Sequence, residues 1–240
     1  MNPSFFRLTG VELRKMVDTR AGFWLQLIVA LLTLTVVVVV CIVADAGEVS
    51  FRDMFGLAIT PASILLPIVG ILLVSSEWSQ RTALITFTLV PKRMRVMRAK
   101  IAAGLALGVV VLVIGFVVAA VAILAIGGEW ELGAVIFLQI CLLVLTAMVT
   151  GIAFGALFLS SAPAIVLSFV LPVGWAAIGS ISWFNGAAEW LDTTRTTAPM
   201  VDRTLTGEEW AQLATSMAVW LVLPLAIGLV RIAKGEIRAN

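Results

Sequence analysis

The sequence predicts an all-α integral membrane protein that crosses the bilayer six times as a single domain over residues 1–240. Three observations lead to this prediction. Hydrophobic residues make up 61% of the chain and charged residues only 12%, whereas soluble domains are about 45–50% apolar and about 25% charged. Six apolar stretches are long enough to cross roughly 30 Å of hydrocarbon. The charged residues lie almost entirely between these stretches.

The six predicted spans are long apolar runs that contain no Asp, Glu, Lys or Arg apart from Arg231 near the end of the sixth. The second is the least regular, because Pro61 and Pro67 interrupt its helical hydrogen bonding. The third and fourth are longer than the bilayer requires, so we expect them to tilt or to project from it. The spans cover residues 24–43, 57–74, 101–126, 132–159, 164–183 and 211–232.

The distribution of basic residues predicts which ends of the spans face the cytoplasm. Of the 16 Lys and Arg residues, four precede span 1, six lie between spans 2 and 3, and three lie at the end of the chain from Arg231 onward, which makes thirteen. Arg52, Arg195 and Arg203 fall in the other connections. The positive-inside rule therefore places both termini in the cytoplasm. We expect a multi-pass protein of a bacterial plasma membrane.

The composition excludes several kinds of chemistry. The sequence has no His, and its two Cys residues lie in apolar runs, so neither a metal site nor a disulfide is expected. None of the four Lys residues follows Gly, so the chain lacks a Walker A loop for ATP. We therefore expect no catalytic residue, no metal, no cofactor and no nucleic acid on this chain. If ATP drives the protein, another subunit must bind it.

The first 22 residues predict an amphipathic helix at the cytoplasmic interface. At about 100° per residue, Phe5, Phe6, Leu13, Met16 and Val17 fall in one sector. The basic side chains gather on the opposite side, where they can meet anionic headgroups. The candidate interface residues are Phe6, Arg14 and Lys15. The alternative is a solvated leader whose charges only orient span 1.

Residues 75–100 form the most informative connection. Glu77 is its only acidic residue, and Arg81 follows at a spacing that permits an i,i+4 ion pair. A run too short to cross the bilayer comes next and ends at Pro91. We expect a short helix lying flat on the cytoplasmic face, since an isolated strand there would leave its backbone unpaired. The alternative is a basic stretch that only orients the chain and binds lipid.

Residues 184–210 form a long connection on the predicted outer side. Trp190 and Trp210 are typical of the membrane interface. Thr206 and Glu209 have the spacing of a capping box, which predicts a helix that begins there and continues into span 6. The segment before this helix could form short helices or an ordinary loop, and the sequence does not decide between the two. Separately, the pairs Gly104/Gly108 and Gly151/Gly155 permit close packing of helices within the chain.

Six spans, an amphipathic first helix and the motif after span 2 together resemble the ABC-2 family of ABC transporter permeases. The motif reads Glu-x-x-x-Arg-Thr, then Pro-x-Arg, then Lys. The family usually has Gly-Thr where this chain has Arg81-Thr82. The architecture is similar over the whole chain, and the motif similarity is confined to residues 75–100. The matching residues are Glu77, Arg81, Thr82, Pro91, Arg93 and Lys100.

The resemblance implies a cytoplasmic coupling helix between spans 2 and 3, in an element that contains Leu84 and Phe87. It also implies short extracellular helices between spans 5 and 6. The implied partners are two separately encoded ATP-binding cassette subunits, which hold ATP and Mg²⁺, together with a second permease chain and membrane lipid. The implied function is ATP-driven export of a hydrophobic or amphipathic drug, lipid or peptide. Candidate pathway residues are Thr33, Thr35, Ser63, Thr146 and Thr150.

Three other functions remain as alternatives. An ion-coupled secondary transporter normally keeps ionisable residues at membrane depth, and the predicted spans have almost none. An intramembrane enzyme would need acids or His at that depth. A non-transporting anchor or immunity subunit for a cytoplasmic ATPase could use the same loop after span 2.

Overall fold

The computed structural model describes residues 4–45, 47–80, 82, 88 and 92–235, and it is helical with no strand in this part of the chain. Six of its helices are long and apolar enough to cross a membrane, so the protein is a multi-pass membrane protein, as predicted. The helices are α1 (Phe5–Asp18), α2 (Arg20–Val43), α3 (Phe51–Ser79), α4 (Arg93–Ile126), α5 (Ala134–Phe158), α6 (Ser161–Gly179), α7 (Asn185–Leu191), α8 (Thr193–Thr197), α9 (Pro199–Asp202) and α10 (Gly207–Lys234).

The six membrane-length helices α2–α6 and α10 lie where the six spans are predicted. Helix α3 is continuous, with both Pro61 and Pro67 inside it. Helices α3 and α4 both run past the predicted ends of their spans, so the connection between them is shorter than predicted. Residues 75–79 and 93–100 are helical, and 80–92 lie between the two helices. The predicted coupling helix falls almost entirely outside the described residues.

Helix α3 is at the centre of the bundle and packs closely against α5. A Cβ atom on Gly151 would lie 2.1 Å from the carbonyl oxygen of Pro67, and one on Gly70 would lie 2.6 Å from the carbonyl oxygen of Met148. Gly155 approaches the backbone of Ile71 in the same way. Glycine lets these two backbones meet where a side chain could not fit. The prediction that the glycine pairs pack helices within the chain is confirmed here.

The two ends of the bundle differ in character. At the basic end, the guanidinium of Arg93 donates a hydrogen bond of 2.6 Å to the carbonyl of Gly235, which joins the start of α4 to the end of α10. The hydroxyls of Ser75 and Ser161 lie 2.8 Å apart and join the end of α3 to the start of α6. Helix α1 lies at the same end, because it packs on α3 and α4.

The aromatic end is defined by five rings from α3, α4, α5 and the connection before α5. The ring of Phe51 stacks on Trp130, with centroids 5.2 Å apart, and meets Phe116 edge-on at 5.0 Å. Phe55 stacks on Phe137 at 6.2 Å. Offset and edge-on ring pairs stabilise by roughly 0.5–1.5 kcal/mol beyond the area that they bury. These rings hold three membrane-length helices together at one level.

Three short helices, α7–α9, lie between α6 and α10 and pack at the aromatic end. The amide of Gln139 in α5 donates to the carbonyls of Met200 and Arg203, at 3.0 and 2.8 Å, and accepts from the N–H of Leu205 at 3.1 Å. The predicted capping box is present. The N–H of Glu209 donates to the Thr206 hydroxyl, and the Glu209 carboxylate accepts from the N–H of Thr206 at 2.8 Å. Helix α10 begins there, as predicted.

Candidate functional site

A sharp corner between α1 and α2 turns the first helix across the basic end. Thr19 ends α1 and caps α2, and its hydroxyl accepts a hydrogen bond from the N–H of Gly22 at 3.2 Å. A Cβ atom on Gly22 would lie 2.0 Å from the carbonyl oxygen of Met16, so the corner requires glycine. The amide of Gln26 donates to that same carbonyl at 2.9 Å. These contacts fix the angle at which α1 meets the bundle.

Four charged side chains from α1, α3 and α4 meet beneath this corner. We call Glu12, Lys15, Glu77 and Lys100 the charge cluster. The ammonium of Lys15 lies 2.8 Å from the carboxylate of Glu12 and 2.7 Å from that of Glu77. The ammonium of Lys100 lies 2.6 Å from Glu12 and 3.3 Å from Glu77. Each cation therefore bridges the same two carboxylates.

The charge cluster is buried except at Lys15. The side chain of Lys100 is 1% exposed, those of Glu12 and Glu77 are 5% and 6% exposed, and that of Lys15 is 42% exposed. Lys100 also donates to the carbonyl of Leu73 at 2.9 Å. Two acids and two bases balance in formal charge, which is how buried charges are normally accommodated. Removing one partner of such a pair costs about 3–5 kcal/mol, because the other charge stays buried and uncompensated.

The environment of Lys15 favours its charged form. Burial acts to lower the pKa of this ammonium, and the hydrogen bonds and negative charges of Glu12 and Glu77 act to raise it. The two carboxylates together outweigh burial, so the pKa of Lys15 is raised above its ordinary value. Lys15 is therefore a cation that holds two acids together at the protein surface.

A cavity of about 430 Å³ lies beside the charge cluster, between the α1–α2 corner and the end of α3. Lys15 and Glu77 line it, with polar side chains from the end of α3 and the start of α6. Thr82 is also part of the lining, and its N–H donates to the carbonyl of Glu77 at 2.8 Å. The first residues after α3 therefore contact both the cavity and the backbone that carries Glu77.

The structure brings together some of the predicted site residues. Glu77, Lys100 and Lys15 meet in the charge cluster, and Thr82 lies next to it. Arg93 is at the start of α4, where it holds the end of α10. Phe6 and Arg14 lie on the exposed side of α1, and Phe6 is 86% exposed. Arg81, Leu84, Phe87 and Pro91, and with them the expected Glu77–Arg81 pair, lie outside the described residues.

Glu12 is the member of the charge cluster that sequence reasoning missed. On a helical wheel it falls at the edge of the apolar face of α1, one helical turn before the buried Met16. An acidic residue at that border, away from the polar face that holds Asp18 and the basic residues of α1, is the signal that could have identified it. Lys15 was expected to contact the membrane interface, and the structure turns it towards two acids instead.

Three of the five candidate pathway residues share a second cavity in the interior. Ser63, Thr146 and Thr150 line a space of about 220 Å³ between α3, α5, α6, α8 and α10. Thr33 is buried between α2 and α3, where its hydroxyl donates to the carbonyl of Ala58 at 3.0 Å. Thr35 is on the exposed face of α2. Within the described residues, no group of three or more Cys, Asp or Glu side chains is arranged to hold a metal ion.

Comparison with known proteins adds no relative from which a role can be transferred. No protein-family model matches the chain, and no curated protein matches it. What the protein does is therefore inferred from its own residues and their geometry.

Proposed function

We propose that this protein is the membrane-spanning permease subunit of an ATP-driven transporter of the ABC-2 type. A separate nucleotide-binding subunit holds ATP and Mg²⁺, and the permease exports a hydrophobic or amphipathic substrate from a bacterial cell. The membrane-length helices support the permease role, and the motif at residues 75–100 supports the ABC-2 assignment.

The observation on which the proposal depends most is the position of the charge cluster. The connection 80–92 leaves α3 shortly after Glu77 and enters α4 one to two helical turns before Lys100. Glu77 is bound to Lys15 of α1, and Lys100 is bound to Glu12 of the same helix. A subunit that pushes on this connection therefore acts on three helices at once. Glu77 and Lys100 are too buried to touch such a subunit, so they transmit the motion rather than make the contact.

The proposed orientation puts the basic end in the cytoplasm and the aromatic end outside. The basic end contains α1, the end of α10 and the ends of α3 and α4 that the connection 80–92 joins, in agreement with the positive-inside rule. Helices α7–α9 are then extracellular, and Trp190 and Trp210 lie near the outer interface.

The proposed complex contains two permease chains and two ATP-binding cassette subunits. Helices α2 and α6 bury little of their apolar surface within the chain. Such surfaces are stable in contact with lipid or with another membrane helix. A second copy or a related chain would pair through them, and the substrate route would run along the seam between the two chains.

The proposal is tested by purifying the tagged full chain from the cells that make it. We expect a nucleotide hydrolase with a P-loop to copurify, and we expect deletion of residues 84–89 to abolish copurification while membrane insertion is kept. Arg195→Gln at the aromatic end is the control and retains the partner. If no nucleotide hydrolase accompanies the wild-type chain, the proposal fails.

The orientation is tested by labelling single cysteines with a membrane-impermeant maleimide. The background variant carries Cys41→Ala and Cys141→Ala, and the reporters are Gln80→Cys and Asp202→Cys, both at exposed positions. Added to intact cells, the reagent should label the cysteine at 202 and leave the one at 80 unlabelled until the membrane is opened. The opposite pattern would overturn the orientation and, with it, the coupling role of residues 80–92.

A further inference from the structure

The interior cavity of about 220 Å³ is lined by hydroxyl groups, and we call it the hydroxyl cavity. Eight Ser and Thr side chains contribute to its lining, among them Ser63, Thr146 and Thr150. The rest of the lining is apolar or aromatic, including Phe154 and Trp220, and none of the described residues that line it is charged. The lining is therefore mostly apolar with hydroxyl groups set among the apolar side chains, which is the usual composition of a small-molecule site.

Three membrane-length helices are irregular where they border the hydroxyl cavity. Pro67 of α3 and Pro172 of α6 line it, and neither has an N–H to complete the helix. The carbonyls of Ser63 and Ser168, four residues earlier, therefore lose their helical donors. Helix α10 has a π-helical turn over Ala218–Val222 at the same place, and such turns are frequent at functional sites.

Six of the eight hydroxyl groups that line this cavity already donate their protons to backbone carbonyls. Ser63 donates to Ile59 at 3.1 Å, Thr146 to Leu142 at 2.7 Å, and Thr150 to Thr146 at 2.8 Å, each to a backbone carbonyl of its own helix. Ser168 donates to Ile165 at 2.8 Å. A hydroxyl oxygen that donates its proton still has lone pairs to accept a hydrogen bond. The walls therefore offer many acceptors and few free donors.

The hydroxyls of Thr193 and Ser216 are the exceptions among the described residues that line the cavity, and Ser216 is the buried one. The residue is 1% exposed and lines the cavity, yet its hydroxyl has no hydrogen-bond partner among the residues that the structure describes. Buried hydroxyls normally find a partner. A group in the cavity that both donates and accepts would satisfy Ser216 and the surrounding oxygens together.

We propose that the hydroxyl cavity binds the head group of an amphiphile that both donates and accepts hydrogen bonds and carries no charge, namely an alcohol on an apolar chain. Donors on the head group meet the Ser and Thr oxygens and the carbonyls released by the prolines. The volume is below the roughly 300–1,000 Å³ of sites for drug-sized ligands, so it holds the head group and the first carbons, while the remaining chain follows the apolar side chains of the lining. An ionised carboxylate, which only accepts, is rejected.

The position of the cavity fits a transport site. Helices α3 and α6 are the second spans of the two three-span halves of the chain, and each has a proline where it meets the cavity. In secondary transporters, Gly- or Pro-interrupted segments at corresponding places of two repeated halves indicate the substrate site. Here α3 and α6 stay continuous, and their prolines contribute carbonyls without helical donors to the cavity wall. This inference rests on the proposed transport function, and it adds the chemical class of the transported substrate.

The test is photolabelling of the full chain in lipid nanodiscs with two eight-carbon diazirine probes that end in a hydroxyl or a carboxylate, at pH 8. We expect the alcohol probe to label residues of 143–154 or 213–221 saturably, with excess unlabelled 1-octanol as competitor. Labelled residues are located by mass spectrometry of peptides. Equal labelling by the carboxylate probe, or labelling that does not saturate, would overturn the proposal.

Matched variants connect the labelling to the hydroxyls. Thr150→Val with Ser216→Ala should reduce saturable labelling about fivefold or more, since each lost hydrogen bond is worth about 1 kcal/mol. Thr35→Val removes the same kind of hydroxyl, bonded to the carbonyl of Leu31 at 2.8 Å, from the exposed face of α2 and should change nothing. Ser168→Ala is a second cavity variant if the first lowers the melting temperature. The experiment needs no ATPase, so a chain that copurifies with a nucleotide hydrolase but shows no saturable labelling refutes the ligand and leaves the transporter proposal standing.

Discussion

The ammonium of Lys100 lies 2.6 Å from a carboxylate oxygen of Glu12, although 88 residues separate the two in the chain. Glu12 is in α1, and Lys100 is about two turns inside α4. Both are almost completely buried. The contact ties the first helix to the fourth at a place where neither charge can be satisfied by water, so the position of α1 depends on it.

Replacing Lys100 by methionine should destabilise the protein strongly. The change leaves the buried Glu12 and Glu77 with only the half-exposed Lys15 as a cation, so we expect the free energy of unfolding to fall by about 3–5 kcal/mol. Lys92→Met removes an exposed Lys at the start of the same helix and should change stability by less than about 0.5 kcal/mol. Thermal unfolding in nanodiscs measures both. The double variant Glu12→Gln/Lys100→Met should recover part of the loss, and a purely additive result would show that the two groups are not coupled.

Reversing the charge of Glu77 should separate ATP hydrolysis from transport. Glu77→Lys places a third cation beside Lys15 and Lys100, so their repulsion should release α1 and the start of α4 from the end of α3. We expect the variant to insert and to bind the proposed nucleotide-binding subunit, but not to drive uptake of lipophilic dyes into inverted vesicles. Asp18→Lys, at an exposed position of α1, is the matched control. Full dye uptake by the Glu77 variant would remove the charge cluster from the coupling path.

Enlarging Gly151 should force α3 and α5 apart. A methyl group at this position would lie 2.1 Å from the carbonyl oxygen of Pro67, and backbone cannot move aside as a flexible side chain does. We expect Gly151→Ala to cost about 1–3 kcal/mol, as overpacking of a core does. Gly174→Ala in α6 adds the same methyl where nothing lies within 4 Å, and it should be neutral or stabilising. Equal melting temperatures for the two variants would contradict the close packing.

Removing the amide of Gln139 should loosen the segment between α9 and α10. The side chain is 1% exposed and satisfies three backbone groups of residues 200–205. Each buried group left unpaired costs about 1–3 kcal/mol. We expect Gln139→Leu to make this segment sensitive to protease before the membrane helices unfold. Gln26→Leu, which loses a single bond to Met16 at the other end, should leave the cleavage rate of that segment unchanged.

The contribution of Lys15 to stability should disappear in strong alkali. Because Glu12 and Glu77 raise the pKa of Lys15 above its ordinary 10.5, the folded state holds this proton more tightly than the unfolded state. The stabilisation is therefore complete below pH 10 and is lost as pH rises through the folded-state pKa. We expect wild type and Lys15→Gln to differ in melting temperature by a constant amount from pH 7 to 9 and to approach one another as the pH rises above 10.5 and through the raised folded-state pKa. A constant difference up to pH 12 would exclude this ammonium as the source.

The number and place of the membrane-length helices could be predicted because lipid imposes a strong local rule. A run of apolar residues must form a helix long enough to cross, and that rule needs no knowledge of neighbours. The capping box at Thr206 and the packing glycines at 151 and 155 are local signals of the same kind. Each was recognisable from a few adjacent residues.

The charge cluster could not be predicted, because its partners come from three distant parts of the chain. The sequence places Arg81 one turn after Glu77, and this spacing favoured a local pair, whereas Lys15 is 62 residues away from Glu77. Lys100 was assigned to a loop because charged residues are rarely buried. It is buried because two carboxylates and a carbonyl surround its ammonium. No periodicity in the sequence encodes such a meeting.

The rings of Phe51, Phe55, Phe116, Phe137 and Trp130 have a mechanical consequence. Dispersion and ring quadrupoles are little affected by salt or by protonation, so these rings hold α3, α4 and α5 together at the aromatic end under all conditions. The basic end depends on the charge cluster, whose stability changes with protonation. A force applied at the basic end cannot slide the three helices along one another, because the rings hold them together at the aromatic end. Such a force must instead tilt the three helices about the aromatic end.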